Sequence, residues 1–232
     1  MSPSQEPLFA RGAAIRSVFG HPAVLLGGGR ALMLQLAHPA VARGVAEHSD
    51  FAYQTAATLR EVHARVTGPG YAATDPELVL WVHATLVDTA LEMHARWVRP
   101  LPGPVADAFY AESMVLGELL GAPVAHQPPD LPAFADYMHE TIETVVPEIG
   151  EQQRRLARAV LHPRVPTLAD PLVVLARQLT VGLLPEPVRR AFGLGWDLPR
   201  EAALRTTTLG TRLAAAQLRL ARRAVPSRLV AA

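Results

Sequence analysis

The chain contains no cysteine. Disulfides, thiolate catalysis, cysteine-ligated zinc and iron–sulfur clusters are therefore outside its own side-chain chemistry. Lysine is missing too, and all 22 basic residues are arginine, so no Schiff base forms through a lysine. Neither sign of charge dominates: the formal net charge is +1. Such a chain has no broad basic field, which argues against a nucleic-acid partner. No apolar run reaches the roughly 20 residues that span a bilayer. The longest, PLVVLARQLTVGLL at 171–184, carries Arg177 and Gln178 and reads as a buried helix. The opening MSPSQEPLFARGAAIRSVFG lacks a basic start followed by an unbroken apolar core, so it does not read as a signal peptide. A cytoplasmic protein without a transmembrane segment is expected.

Strand patterns are nearly absent, whereas helical periodicity runs through most of the chain. Half of the 232 residues are hydrophobic, enough to bury a sizeable core. A helix follows GGGR at 27–30, and Pro39 biases His38 away from helical dihedrals, so a break is expected there before PAVARGVAEH resumes. Thr74-Asp75-Pro76-Glu77 supplies an N-cap, a first-turn proline and a first-turn acid, opening a helix that runs to about Val98. Further helices are expected over 104–120, 132–146, 148–161 (a charged surface helix), 171–184 and the short PEPVRRA segment. A last helix, capped by Asp197, reaches about Ala224 and is expected to pack across the others. The fold class is all-α: one multi-helix domain over residues 1–232.

Histidine is the main chemical resource, and His21, His38, His48, His63, His83 and His94 all fall in the first hundred residues. Metal-ligand spacings are missing. There is no His-Glu-x-x-His, and no Glu-x-x-His pair of the kind that carboxylate-bridged di-iron bundles repeat on two helices. His83 lines up with Val79, Leu86, Val87, Ala90 and His94 on one helical stripe, where its bland reading is a core histidine with a hydrogen-bond partner. His38 at the helix break has an equally bland reading as a cap for freed backbone groups. GGGR has no preceding strand, so it is not a phosphate loop. In LREVHARVTG at 59–68, His63 sits beside the apolar stripe Leu59, Val62 and Val66, flanked by Arg60 and Arg65. Its two readings are a structural histidine and a ligand to something in the core.

Four ordered blocks carry a resemblance: GGGRALMLQLAHPAVARGVAEHSDF at 27–51, LREVHARVTG at 59–68, YAATDPELVLWVHATLVDTALEMHARWVRPL at 71–101 and YAESMVLGELLGAP at 110–123. Together they resemble the rubber-oxygenase (latex clearing protein) and mpaB-type oxygenase catalytic domain family. The resemblance is strong over residues 15–145 and general over the C-terminal helices at 148–224. It implies a globin-like all-α fold that holds haem b and uses molecular oxygen to oxidise an apolar substrate. It also implies that the histidine of Arg-x-x-His-x-x-Val, here His63, is the proximal iron ligand and thus the metal-binding residue.

Under that resemblance Arg60 or Arg65 pairs with a haem propionate, since a guanidinium matches a carboxylate bidentately. His38, His83 and Arg30 are catalytic or pocket candidates because they sit inside the matching blocks. The family carries a further helix and loop between HSDF and LREVHARV, where this chain has only AYQTAAT, so no distal-side residue is carried over. The resulting expectation is a haem-dependent oxidoreductase acting on a hydrophobic small molecule. The alternatives are a non-catalytic haem-binding sensor or carrier and a haem-free helical scaffold, and in each the last helix is a candidate homodimer surface.

Overall fold

The computed structural model describes residues 10, 12–47, 65–68, 70–163 and 170–224. The described chain is all-α as expected, with eleven α-helices and one very small hairpin. Helices α1 (Ala14–Phe19), α2 (Pro22–Leu25), α3 (Gly28–Ala37) and α4 (Pro39–Glu47) come first. The antiparallel pair β1 (Thr67–Gly68) and β2 (Tyr71–Ala72) follows, with Thr67 opposite Ala72 and Gly68 opposite Tyr71. Two-residue strands show no alternation, which is why the hairpin left no trace in the sequence pattern. Then come α5 (Pro76–Met93), α6 (Gly103–Leu120), α7 (Leu131–Val145) and α8 (Glu151–Leu161). Helices α9 (Asp170–Leu183), α10 (Glu186–Ala191) and α11 (Leu198–Ala224) complete the order.

Several ends follow directly from local chemistry. His38 takes an extended conformation (φ −75°, ψ 122°) between α3 and α4, as the proline after it requires. Asp75 Oδ1 accepts from Glu77 N at 2.9 Å and Asp197 Oδ1 from Arg200 N at 2.9 Å, so both expected N-caps form. Gly121 ends α6 with φ +113°, a conformation that costs a residue with a Cβ dearly. Helix α5 departs from the expected single run to Val98. Its last turn, His94–Val98, is a π-helix before Arg99 becomes extended.

Helix α5 is the centre of the fold, packing on α3, α6, α1, α2 and its own π-turn. Trp81, Val87, Ala90 and Met93 on it are buried, and the main cluster adds Ile15, Val18, Leu34, Phe109, Phe134 and Val188 from its neighbours. Three expectations need correction. The last helix does not pack across the others: α11 meets α9 and the π-turn, through Leu204 beside Leu183 and Trp97. The 171–184 segment is buried only at its second half, since Leu172, Val174 and Leu175 are exposed whereas Leu179–Leu184 are inside. The 148–161 helix starts at Glu151 and is not wholly on the surface. Gln153, Ala157 and Leu161 are buried, and the Gln153 amide accepts from Gly150 N at 3.0 Å and donates to Glu148 O at 3.1 Å. No helix among the described residues is long and apolar enough to cross a membrane.

The short helix α1 is held by a cap from far along the chain. The Glu112 carboxylate on α6 accepts from Ala14 N at 3.3 Å and from Ile15 N at 2.6 Å, using a negative charge where a helix N-terminus favours one. Replacing Glu112 with Ala removes both bonds while leaving the buried Ile15 and Val18 in place. A loss of about 1–2 kcal/mol in urea-denaturation stability is expected, with Glu112→Asp recovering part of it.

Candidate functional site

Two groups of the described buried polar residues lie along α5. The first group centres on Arg30, which is 5% exposed. Its Nε donates to Leu183 O at 2.8 Å, one terminal nitrogen donates to Thr89 Oγ1 at 2.8 Å, and the other meets Asp88 Oδ2 at 2.6 Å. The glycines before it explain how the side chain arrives there. A Cβ at Gly27 would stand 2.5 Å from Thr89 Cγ2 and 2.8 Å from Met93 Cγ, and one at Gly29 would stand 2.1 Å from Thr180 Oγ1. The glycine run is thus a helix–helix contact, pressing α3 against α5 and α9. One turn further, Gln35 Nε2 donates to Thr85 Oγ1 at 3.1 Å, continuing the polar seam.

His83 lies on a different face of α5, 4% exposed. A Cβ at Gly117 would stand 2.9 Å from His83 Cδ2 and 3.0 Å from the Gln127 amide nitrogen, so α6 closes tightly over the ring. Gln127 is itself tied down, donating to Met114 O and Ala122 O, each at 2.9 Å. His83 Nδ1 has no hydrogen-bond partner among the described residues. Burial holds the imidazole below the usual histidine range, and a backbone contact to Ser113 only partly opposes this. His94 repeats the pattern at the start of the π-turn. Its Nε2 lies 3.3 Å from Val18 O, its ring meets His21 edge-on at 5.2 Å, and its Nδ1 is also buried without a partner among the described residues. Burial again lowers its pKa, with His21 adding to the effect.

The remaining sequence candidates have separate surroundings. His38 is half-buried and its Nδ1 accepts from Ala40 N at 3.3 Å, so it does cap the freed backbone. Burial lowers its pKa first, and Glu148 draws it back up. Arg65 is exposed. Arg60 and His63, like His48, lie outside the described residues. The structure therefore does not bring Arg30, His38 and His83 to one point: each serves a different helix contact. Among the described residues no group of three or more His, Asp or Glu could hold a metal ion.

Sequence reasoning missed a second polar assembly at the far end of α9. Arg189 donates to Gly182 O at 3.2 Å and Leu184 O at 2.9 Å, and its guanidinium stacks 5.6 Å from the Trp196 ring. Trp196 Nε1 donates to Glu201 Oε2 at 2.9 Å, and Glu201 Oε1 accepts from Arg205 Nε at 2.8 Å. Those two bonds, the indole's first, hold the Glu201 carboxyl below its usual range. A cleft of about 540 Å³ opens beside Arg96, Glu186, Arg189, Trp196 and Glu201. The signal was present in the arginines and lone tryptophan of PVRRAFGLGW, but the partners are carbonyls, which sequence does not single out.

With this geometry in view, comparison with known proteins is informative. The model of the ER-bound oxygenase mpaB/B'/rubber oxygenase catalytic domain matches residues 16–56 and 52–216. The chain belongs to that family. The two matched stretches meet at 52–56, inside the short AYQTAAT connection. Uncharacterized proteins of Mycobacterium bovis and Mycobacterium tuberculosis are each 30% identical to it over 142 residues, 60% of this chain and 54% of theirs. The chain thus spans about half the length of the curated relatives it matches. No solved structure matches. In this mpaB/rubber-oxygenase family member the Arg30 assembly, the buried His83 and His94 and the Arg189–Trp196–Glu201 assembly all lie within the matched region.

Two outcomes test these assignments. Asp88→Ala leaves the Arg30 guanidinium buried without its counter-charge, and a loss of about 3–5 kcal/mol is expected in chemical denaturation. The paired change Arg30→Met with Asp88→Leu should cost much less, because nothing charged is stranded. His38, His83 and His94 all have depressed native pKa values. The unfolded chain therefore binds more protons as pH falls below about 6.5, and native stability drops through that window. Thermal midpoints between pH 7.5 and 5 should show this fall, and His83→Gln should flatten it.

Proposed function

We propose that this chain is a haem b-dependent oxidoreductase that uses molecular oxygen on a hydrophobic small molecule, with His63 as proximal iron ligand. The observation that carries the reading is the family match over 16–216, which includes the segment Arg60-Glu61-Val62-His63-Ala64-Arg65-Val66. Membership in an oxygenase family supports an enzyme; haem, ligand and substrate class belong to this proposal, as do the globin-like arrangement and a cytoplasmic location.

The described side chains bear on what a haem would meet. His83 and His94 are buried, kept neutral and left with a free Nδ1, the protonation state that an iron ligand or a hydrogen-bond partner of a bound group needs. Gly117 closes on the Cδ2 edge of His83, so a macrocycle does not fit against that edge; the preference for His63 as ligand rests on the resemblance of its segment. Arg30 already uses three nitrogens inside the protein, so its part is to hold helices rather than to bind a propionate. Arg65 is exposed and free of that burial, which leaves Arg60 and Arg65 as the propionate partners. When bound, haem supplies oxygen activation; the protein supplies axial ligation, access and polarity.

A second reading has its own support. The family match comes as two stretches that overlap at 52–56, inside AYQTAAT, where the resemblance implies a longer segment in the family. A haem face left more open at that point suits a sensor or carrier that binds haem without turnover.

The deciding measurement is the absorption spectrum with a pyridine haemochrome assay on wild type, His63→Ala and His83→Gln. A Soret band in wild type that shifts or vanishes in His63→Ala and survives in His83→Gln is expected. Full haem in His63→Ala would move ligation elsewhere. Bound haem without oxygen consumption favours the sensor or carrier, and no haem after reconstitution leaves the haem-free scaffold.

A further inference from the structure

Helix α11 is anchored by only part of its length. Its 27 residues span about 40 Å at 1.5 Å per residue, yet among its described side chains those that enter the core are Leu204 and Thr208. Two turns later the helix still carries large apolar side chains that nothing covers. Leu209 is 56% exposed, Leu213 is 65% exposed and Leu198, at the helix start, is 84% exposed. In helical register Leu198, Ala202, Leu209 and Leu213 fall on one sector, turned well away from Leu204 and Thr208, and positions 216 and 220 continue it.

The charge on the same helix is one-sided. Residues 198–224 hold arginines at 200, 205, 212, 219, 222 and 223 against the single acid Glu201. That acid is already engaged by Trp196 and Arg205. The arginine positions 205, 212 and 219 recur every seven residues along one border of the leucine sector. Long guanidinium side chains at such a border can lie along apolar surface while their heads reach a polar layer. The rest of the chain compensates for this charge, since the whole carries only +1; α11 is therefore a local cationic, amphipathic element on a nearly neutral body.

We propose that the outward face of α11 docks on an anionic lipid bilayer, lying in the interface with Leu198, Leu209 and Leu213 inserted and the bordering arginines against phosphate headgroups. The combination of an apolar sector with an arginine border on a helix is what such a surface binds. A second copy of the chain is the less suitable occupant. It would bring two helices of strong like charge together, and the single acid of each, Glu201, is already engaged by Trp196 and Arg205 within its own chain. This proposal holds whether or not haem is bound.

The test is co-sedimentation of the full chain with vesicles of pure phosphatidylcholine and with vesicles containing about a third phosphatidylserine, at low and at physiological salt. Wild type should sediment with the anionic vesicles only, and more weakly as salt rises. Leu209→Gln with Leu213→Gln should reduce partitioning at least tenfold, as should Arg212→Gln with Arg219→Gln, at about 1 kcal/mol per arginine near the surface. Leu209 and Leu213 lie outside the core and Arg212 is not buried, glutamine keeps helix propensity, and far-UV circular dichroism checks that each variant is folded. Failure of wild type to sediment with anionic vesicles overturns the proposal, as does unchanged sedimentation of the leucine variant. A wild-type dimer in light scattering that the leucine variant converts to monomer, with no vesicle binding, assigns the face to a second copy instead. The haem spectrum of each variant should match wild type, so the outcome here is separate from that of the haem reading.

Discussion

Arg30 is buried between three helices, and a guanidinium in that position is tolerable only when its donors are all met. Asp88 and Thr89 of α5 supply two acceptors and the Leu183 carbonyl of α9 the third. The last carbonyls of an α-helix have no partner within it and carry the negative end of its dipole. Here the three carbonyls that close α9 are shared between two arginines: Leu183 goes to Arg30, and Gly182 and Leu184 go to Arg189. The contacts continue through Arg189 on Trp196, Trp196 on Glu201 and Glu201 on Arg205. One connected path of charge and hydrogen bonds therefore runs from α3 and α5 through the end of α9 to the start of α11. Its geometry depends on small residues. Gly27 and Gly29 let α3 come close enough, and at Gly182 a Cβ would meet the Trp196 ring at 2.5 Å.

The histidines obey the opposite rule. Arg30 stays charged in the interior because its partners are fixed, whereas His83 and His94 lie among groups that offer no charge to stabilise an imidazolium. Burial then keeps them neutral. The interior thus separates into two kinds of polar site on one helix. One face of α5 carries a saturated ion pair that positions helices, and the other carries neutral rings with an open nitrogen. Of these two kinds the second keeps a ring nitrogen with hydrogen-bonding or ligating capacity left over, as do the buried indole N–H groups of Trp81 and Trp97 for hydrogen bonding alone.

Helix positions and caps were legible in the sequence wherever they depend on nearest neighbours. Pro39 after His38, Asp75 before Pro76 and Gly121 after Leu120 each act within a turn. The oxygenase family was legible too, because four blocks kept their order and spacing. What escaped depends on distant partners. Nothing in GGGR announces Thr89 and Thr180 as the atoms that would meet a Cβ. Glu112 reads as a surface acid until α1 lies against it. The π-turn at His94–Val98 arises in an uninterrupted helical pattern. Of the candidate site, Arg30, His38 and His83 could be singled out as residues, but only their packing distinguishes a helix clamp from a backbone cap and from a sealed neutral ring.

The clamp also bears on how this chain relates to its family. Every atom of the path from Asp88 to Arg205 comes from residues 30, 88, 89, 182–184, 189, 196, 201 and 205. None comes from the neighbourhood of 52–56, where the two stretches of the family match meet. The contacts that orient α3, α5, α9 and α11 are thus independent of how long that connection is. Shortening it leaves the scaffold's principal polar constraint intact and acts only on what the connection itself would contribute. In such an architecture the fold can persist while the chemistry changes, so family membership fixes the scaffold more firmly than it fixes the reaction.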